Sequence, residues 1–148
     1  MRQIANNTFF KWVEAEIAEG HSVQFRLKGL SMSPLIRNGK DIVVLRPCSK
    51  EELRPMDVVL FRHGNKHLLH RIIERQGDKL LIKGDGSFVA KERCTVDDVI
   101  GKVQAVVRPS GKMLSVDSMK WKLLSWLWQK AGVVRIPFLR YIYYRQQR

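Results

Sequence analysis

Residues 57–83 read DVVLFRHGNKHLLHRIIERQGDKLLIK, and this stretch is the strongest indication of the fold. It contains three runs rich in Val, Ile, Leu and Phe, the residues that suit a pleated, half-buried strand. His63-Gly64-Asn65 separates the first two runs, and Gln76-Gly77-Asp78 separates the second from the third. Connections this short join antiparallel neighbours. The stretch therefore predicts three consecutive antiparallel strands.

The same alternation continues on both sides of this stretch. Further short apolar runs occur at 23–27, 41–45 and 99–107. Together they predict a mainly β domain, an antiparallel barrel or folded sheet, over residues 21–111. Apolar residues at helical spacing predict a short amphipathic helix within residues 1–20. A helical C-terminal extension is expected over residues 112–148.

The composition describes one compact domain. The chain has 148 residues, 45% of them hydrophobic, with a formal net charge of +13, which excludes a disordered chain. No stretch free of charged residues exceeds eight residues, whereas a membrane span needs roughly 20 apolar residues. A cytoplasmic location is therefore expected. Cys48 and Cys94 have no metal-ligand spacing, so we expect two reduced thiols, no metal site and no cofactor.

The C-terminal extension differs from the rest in composition. It carries eight Lys and Arg residues against Asp117 alone, together with Trp121, Trp126 and Trp128. Such a helix suits a peripheral contact with an anionic membrane. The alternative is a lid over the β domain. A narrow apolar stripe runs through Leu123, Leu124 and Leu127. Nucleic-acid binding is not favoured, because no recognisable reading module is present.

Three segments could carry chemistry, although each alone is typical of ordinary structure. Ser31 lies in a turn, Gly29-Leu30-Ser31-Met32-Ser33-Pro34, that could expose its hydroxyl. His70 lies among apolar residues of a predicted strand, where a neutral imidazole can act as a base. Asp85 follows the next strand and could orient that imidazole. Spacings of 39 and 15 residues separate the three.

Taken in order, the motifs resemble the type I signal peptidase family, of the endoplasmic-reticulum and archaeal kind that uses His as its base. The resemblance covers residues 23–107. Its segments are Lys28-Gly29-Leu30-Ser31-Met32, Gly39-Lys40-Asp41, Pro55-Met56-Asp57, Leu69-His70-Arg71, Lys83-Gly84-Asp85 and Asp98-Val99-Ile100-Gly101. The same clan includes the self-cleaving SOS repressors of the LexA type, which pair the serine with a lysine.

The resemblance implies a serine endopeptidase that cleaves leader- or signal-like segments of a peptide or protein precursor. Ser31 would be the nucleophile and His70 the base. Asp85 would be the orienting acid, with Glu92 as the alternative. The backbone N–H of Ser31 would supply one oxyanion donor. The substrate groove would be lined by Met32 and Pro34.

Departures from the family pattern leave alternatives open. Gly29 stands where many relatives have a small hydroxyl residue, so a second oxyanion donor is unassigned. Lys66 and Lys83 are the candidates for a lysine base in place of His70. Self-cleavage is one alternative activity. The competing class is a non-catalytic membrane- or partner-binding protein on the same fold.

Overall fold

The computed structural model describes residues 6–26, 32, 35–37, 39–86, 91–130, 141, 144 and 145. Helix α1 spans Asn6–Ala18 and buries Val13 and Ile17 against the sheet. Gly20 follows it with a φ of +88°, in the left-handed region where glycine is favoured. The predicted N-terminal helix is confirmed.

The described residues contain eight strands. They are β1 Val23–Arg26, β2 Ile42–Arg46, β3 Val58–His63, β4 Lys66–Gln76, β5 Lys79–Lys83, β6 Glu92–Thr95, β7 Val99–Val107 and β8 Met113–Ser115. They form one antiparallel sheet in the order β1-β2-β7-β3-β4-β5-β6, with β8 paired to β7. Single 3₁₀ turns occur at Lys50–Glu52 and Val96–Asp98. The prediction of a mainly antiparallel β fold with helices at both ends is confirmed.

The two turns read from the sequence are two-residue hairpin loops. His63 pairs with Lys66 around the first loop, and Gln76 pairs with Lys79 around the second. Gly64 and Gly77 adopt φ values of +61° and +59°, which these tight loops require. The loops therefore set the register of β4, the strand that carries His70.

The sheet has a core on each face. Register shifts interrupt the pairing of β2 with β7, β3 with β7, and β4 with β5, and such bulges bend a sheet. Val58 and Leu60 face the larger core, whereas Val59 and Phe61 face the smaller one. β3 is thus buried on both sides, at the centre of the fold.

Helix α2 spans Met119–Lys130 and covers part of the larger core. Trp121 and Trp128 are buried against the β domain, with exposures of 3% and 9%. Leu123, Trp126 and Leu127 are exposed on the opposite side of the helix. The leucine stripe is therefore divided, because Leu124 packs against the larger core on the side of Trp128 while Leu123 and Leu127 are exposed. Of the two alternatives for the extension, the buried tryptophans fit the lid, and the membrane contact stays a prediction.

The predicted division at residue 111 falls between two paired strands. β8 pairs with β7 through Ala105↔Ser115 and Val107↔Met113, so the sheet continues beyond that position. The backbone N–H of Val116 donates to the carbonyl of Gln104 at 3.0 Å, which continues this attachment. The assignment of separate domains stays a prediction.

Candidate active site

His70 lies in the middle of β4, on the face of the smaller core. It pairs with Val59 of β3, and its ring centroid is 5.8 Å from that of Phe61. Ile72, two residues further along β4, belongs to the same core. Only 6% of His70 is exposed. The predicted apolar setting of this histidine is therefore present.

Glu92 is the hydrogen-bond partner of His70. Its Oε2 lies 3.1 Å from Nδ1 of His70. The sheet register explains the contact, because Ile72 pairs with Ile82 and Ile82 pairs with Glu92, which places them on one face. An ionised carboxylate only accepts hydrogen bonds, so Nδ1 carries the proton of the neutral imidazole. The lone pair is then on Nε2, the arrangement that a general base requires.

The surroundings of His70 keep its imidazole neutral. Burial lowers the pKa of His70 below its ordinary value of 6.5. The carboxylates of Glu92 and Asp85 act in the opposite direction, and His63 adds to the lowering. At pH 7 the ring is therefore uncharged and able to take a proton.

Asp85, the acid first assigned to His70, binds Arg71 instead. Arg71 Nε donates to Asp85 Oδ1 at 2.9 Å, and Nη2 donates to Oδ2 at 2.8 Å. Both side chains are buried. His70 and Arg71 are adjacent on a strand and face opposite sides, and Asp85 lies on the side of Arg71. The structure thus differs from the sequence-based assignment, because a buried guanidinium needs a carboxylate as its bidentate partner.

The predicted nucleophile and one groove residue, Ser31 and Pro34, lie outside the described residues. The expected distance from Ser31 to His70 therefore stays a prediction. Met32, expected to line the groove, is fully buried in the larger core, and its carbonyl accepts a hydrogen bond from the backbone N–H of Ile36 at 3.0 Å. Its role in the structure is to anchor the segment next to Ser31.

Asp41 fixes the segment that follows Ser31, a role that the sequence did not suggest. Its fully buried carboxylate accepts hydrogen bonds from the backbone N–H of Arg37 at 2.7 Å and from Nη1 of Arg108. Arg108 also donates to the carbonyl of Leu35 at 2.9 Å. These contacts attach the segment to the strands β2 and β7.

The model of one protein family, described as peptidase S24-like, matches residues 3–104. The chain belongs to this family. It is therefore a serine peptidase domain of the clan that contains LexA-like repressors and signal peptidases. The search of curated proteins found no significant match.

Within this S24-like domain, the two candidate lysine bases are placed apart from His70. Lys66 is exposed at the β3–β4 loop. Lys83 is buried and pairs with Arg71 across β4 and β5, so it shares the face of Arg71. A lysine base at position 83 would therefore act from the other side of β4 than His70 does, whereas Lys66 lies at the start of β4, four residues from His70.

The remaining sequence expectations concern the thiols and the membrane. Cys48 and Cys94 are free and half-buried, and burial raises the pKa of Cys94 to about 11, so its thiol is protonated at neutral pH. In the part of the chain that the structure describes, neither helix has the length and apolar character needed to cross a bilayer.

Sequence reasoning missed three residues around Asp85: Arg71, Trp128 and Gln129. Arg71 carried a usable signal, since an arginine within an alternating apolar strand has to find a buried acid. Trp128 and Gln129 carried none, because their contacts depend on how α2 lies across the sheet.

Proposed function

We propose that this S24-like domain is a serine endopeptidase in which Ser31 is the nucleophile, His70 the base and Glu92 the orienting acid. The hydrogen bond between His70 and Glu92 carries the proposal. A buried imidazole with its Nδ1 proton held by a carboxylate is the base arrangement of Ser-His-acid hydrolases. The family supplies the serine-peptidase class, and the residue roles are our assignment.

The chemistry follows from the two nitrogens of His70. Nε2 takes the proton of Ser31 Oγ as this oxygen attacks the scissile carbonyl, and later returns it to the leaving amine. The imidazolium formed in between is stabilised by Glu92 through Nδ1. The Ser31 backbone N–H is one donor for the oxyanion.

A histidine base of the signal-peptidase type is favoured over the lysine of the repressor type. His70 has an acid partner at 3.1 Å, the contact that a histidine base uses and a lysine base does not need. Lys83 shares the opposite face with Arg71. These observations support the endoplasmic-reticulum and archaeal kind of signal peptidase as the nearest functional parallel.

An extended segment of a precursor suits this site as substrate. Among the strands that the structure describes, β1 and β6 are the two ends of the order, so each has an edge with no described strand beside it. β1 ends at Arg26, five residues before Ser31, and β6 begins at Glu92. A peptide can add to such an edge as another strand, which presents its backbone in extended form for cleavage. We therefore propose leader- or signal-like segments as substrates.

The test compares cleavage of candidate precursor peptides by the wild type, Ser31→Ala and Glu92→Gln, with fragments identified by mass spectrometry. His21→Gln is the matched control, because His21 is an exposed histidine bonded to Glu16 on α1. We expect full cleavage by the wild type and the control, slower cleavage by Glu92→Gln and none by Ser31→Ala. Equal cleavage by Ser31→Ala would remove Ser31 as nucleophile. Fragments of the enzyme itself would identify self-cleavage, and no cleavage would favour a binding protein.

We further propose that the outer face of α2 contacts an anionic membrane surface. The exposed apolar residues of this face are Met119, Leu123, Trp126 and Leu127. The exposed lysines of the same helix are Lys120, Lys122 and Lys130. Lys130 Nζ lies 6.0 Å from the ring centroid of Trp126, so charge and indole are adjacent. Indoles beside lysines suit the headgroup region of an anionic bilayer.

Vesicle co-sedimentation tests this contact. Changing the three α2 lysines to Gln should weaken binding to anionic vesicles by about 1 kcal/mol per charge at low salt. The matched control changes the exposed lysines Lys40, Lys79 and Lys91, which removes the same charge from elsewhere on the domain. Equal loss by both variants would show non-specific attraction, and no binding to any vesicle would leave α2 as a lid.

A further inference from the structure

Asp85 lies where helix α2 meets the turn after β5. Trp128 Nε1 donates to the backbone carbonyl of Asp85 at 2.9 Å. Gln129 Nε2 donates to Oδ1 of the same residue at 3.0 Å. Arg71 occupies both carboxylate oxygens from the other side. The backbone and the side chain of one buried residue are thus held by both α2 and β4.

This contact is close in the chain to both members of the His70–Glu92 pair. Arg71 directly follows His70 on β4. Asp85 precedes Glu92 by seven residues, and Glu92 is the first residue of β6. Ile82 of β5 pairs with Glu92 of β6, so the strand that ends two residues before Asp85 also positions Glu92. The hydrogen bond between His70 and Glu92, at 3.1 Å, has little tolerance for a displacement of β6.

We propose that α2 is a latch that holds Glu92 against His70, with Trp128 and Gln129 as positioning residues that act through Asp85. This rests on the proposed function only in naming His70 and Glu92 as base and orienting acid. α2 lies beyond residue 104, where the family match ends, so the latch is formed by a part of the chain outside that match.

The latch can be opened with little change in packing. Trp128→Phe removes the only donor of the indole and keeps an aromatic ring in the core. Gln129→Ala removes the second hydrogen bond from a half-buried position. Trp12→Phe is the matched control, because Trp12 is an exposed indole on α1.

A double-mutant cycle on the titration of His70 provides the test. The His70 pKa is measured by NMR in the wild type, Glu92→Gln, the double variant Trp128→Phe/Gln129→Ala, and the combination. The other charges that act on His70, Asp85 and His63, are the same in all four proteins. With the latch intact, Glu92→Gln lowers the His70 pKa, since the carboxylate raises it. With the latch open, we expect this shift to fall to less than half.

If Glu92→Gln shifts the His70 pKa equally with and without the latch, the proposal is contradicted. The control Trp12→Phe should leave that shift as it is in the wild type. A variant that only lowers stability leaves the effect of Glu92 on the His70 pKa unchanged. The cycle therefore distinguishes a positioning role from a merely structural one. If the double variant fails to fold, Trp128→Phe alone completes the cycle. The titration needs no substrate. The two proposals can fail separately. If opening the latch reduces the effect of Glu92→Gln on the His70 pKa while Ser31→Ala still cleaves, the latch is supported and the proposed function is contradicted.

Discussion

A buried histidine acts as a base only when something determines which nitrogen carries its proton. At the proposed base His70 that determinant is Glu92, since its carboxylate accepts the Nδ1 proton and leaves the lone pair on Nε2. Asp85 has the opposite task of neutralising Arg71 on the other face of β4. Two acids within seven residues therefore differ in role because they lie on different faces of the sheet.

The first prediction concerns the pH dependence of cleavage. With His70 as the proposed base, kcat/KM should rise with pH through the His70 pKa, which lies below 6.5, and level off near pH 7. Glu92→Gln should lower kcat, because the imidazolium loses its partner, and should move the midpoint to lower pH. Cleavage rates from pH 4 to 8 measure both effects. A midpoint that moves upward would contradict the assigned role of Glu92.

The second prediction concerns the buried ion pair. Asp85→Asn leaves the fully buried guanidinium of Arg71 without its counter-charge, so the free energy of unfolding should fall by about 3–5 kcal/mol. Urea denaturation measures it. The exposed pair Lys50–Asp97 is the control, where Asp97→Asn should have little effect on stability. Equal small losses at both sites would contradict the burial of the pair.

The sequence predicts the apolar setting of His70 but not which acid binds to it. Alternation along β4 placed His70 on an apolar face, and that placement is confirmed. The choice between Asp85 and Glu92 depends on the register of β6 against β5, and this register is set by a connection with no periodic pattern. Residue spacing alone therefore left both acids as candidates.

At the level of elements, β2 approaches β7 so closely at Arg46 that position 101 has room only for glycine. A Cβ at Gly101 would lie 2.7 Å from the backbone carbonyl oxygen of Arg46. Since that neighbour is backbone, it cannot rotate away. Gly101→Ala should therefore destabilise the fold by about 1–3 kcal/mol. Thermal unfolding compared with Gln104→Ala, an exposed position on the same strand, measures the difference.

Helix α2 contains a position where a smaller side chain should stabilise the protein. Ser125 is 1% exposed, and its Oγ has no hydrogen-bond partner among the described residues. Ser125→Ala removes this buried polar atom, so we expect the free energy of unfolding to rise by about 1 kcal/mol. Ser118→Ala is the control that should destabilise, because Ser118 Oγ accepts the Trp121 backbone N–H at 3.2 Å. A loss of stability on Ser125→Ala would reveal a partner for the hydroxyl.

The elements themselves could largely be predicted, and the orientation of α2 could not. Glycine-containing turns and two-residue alternation identified β3, β4 and β5, because both features are local. α2 has apolar residues on two sides, so its pattern does not indicate which side packs. Trp121 and Trp128 face the domain because they fill a space that the sheet defines.

At the level of the whole molecule, the larger core extends beyond the strands to α2. Trp121 and Trp128 belong to the same cluster as Met32 beside Ser31. Removing a buried tryptophan costs about 3–5 kcal/mol, while an entire domain has only about 5–15 kcal/mol of stability. A chain that ends after Ser115 should therefore lose cooperative unfolding and expose its core to a hydrophobic dye. Circular dichroism and dye fluorescence against the full chain measure both effects.

Two tryptophans of one helix give the matched comparison for this last prediction. Trp121→Ala should cost about 3–5 kcal/mol, since the side chain is 3% exposed and its ring lies 5.7 Å from the Arg71 guanidinium carbon. Trp126→Ala should change stability by less than about 0.5 kcal/mol, since 53% of Trp126 is exposed. Equal effects would contradict the placement of α2. A large effect at Trp121 alone would mean that the helix beyond the family match is required for the fold that holds His70.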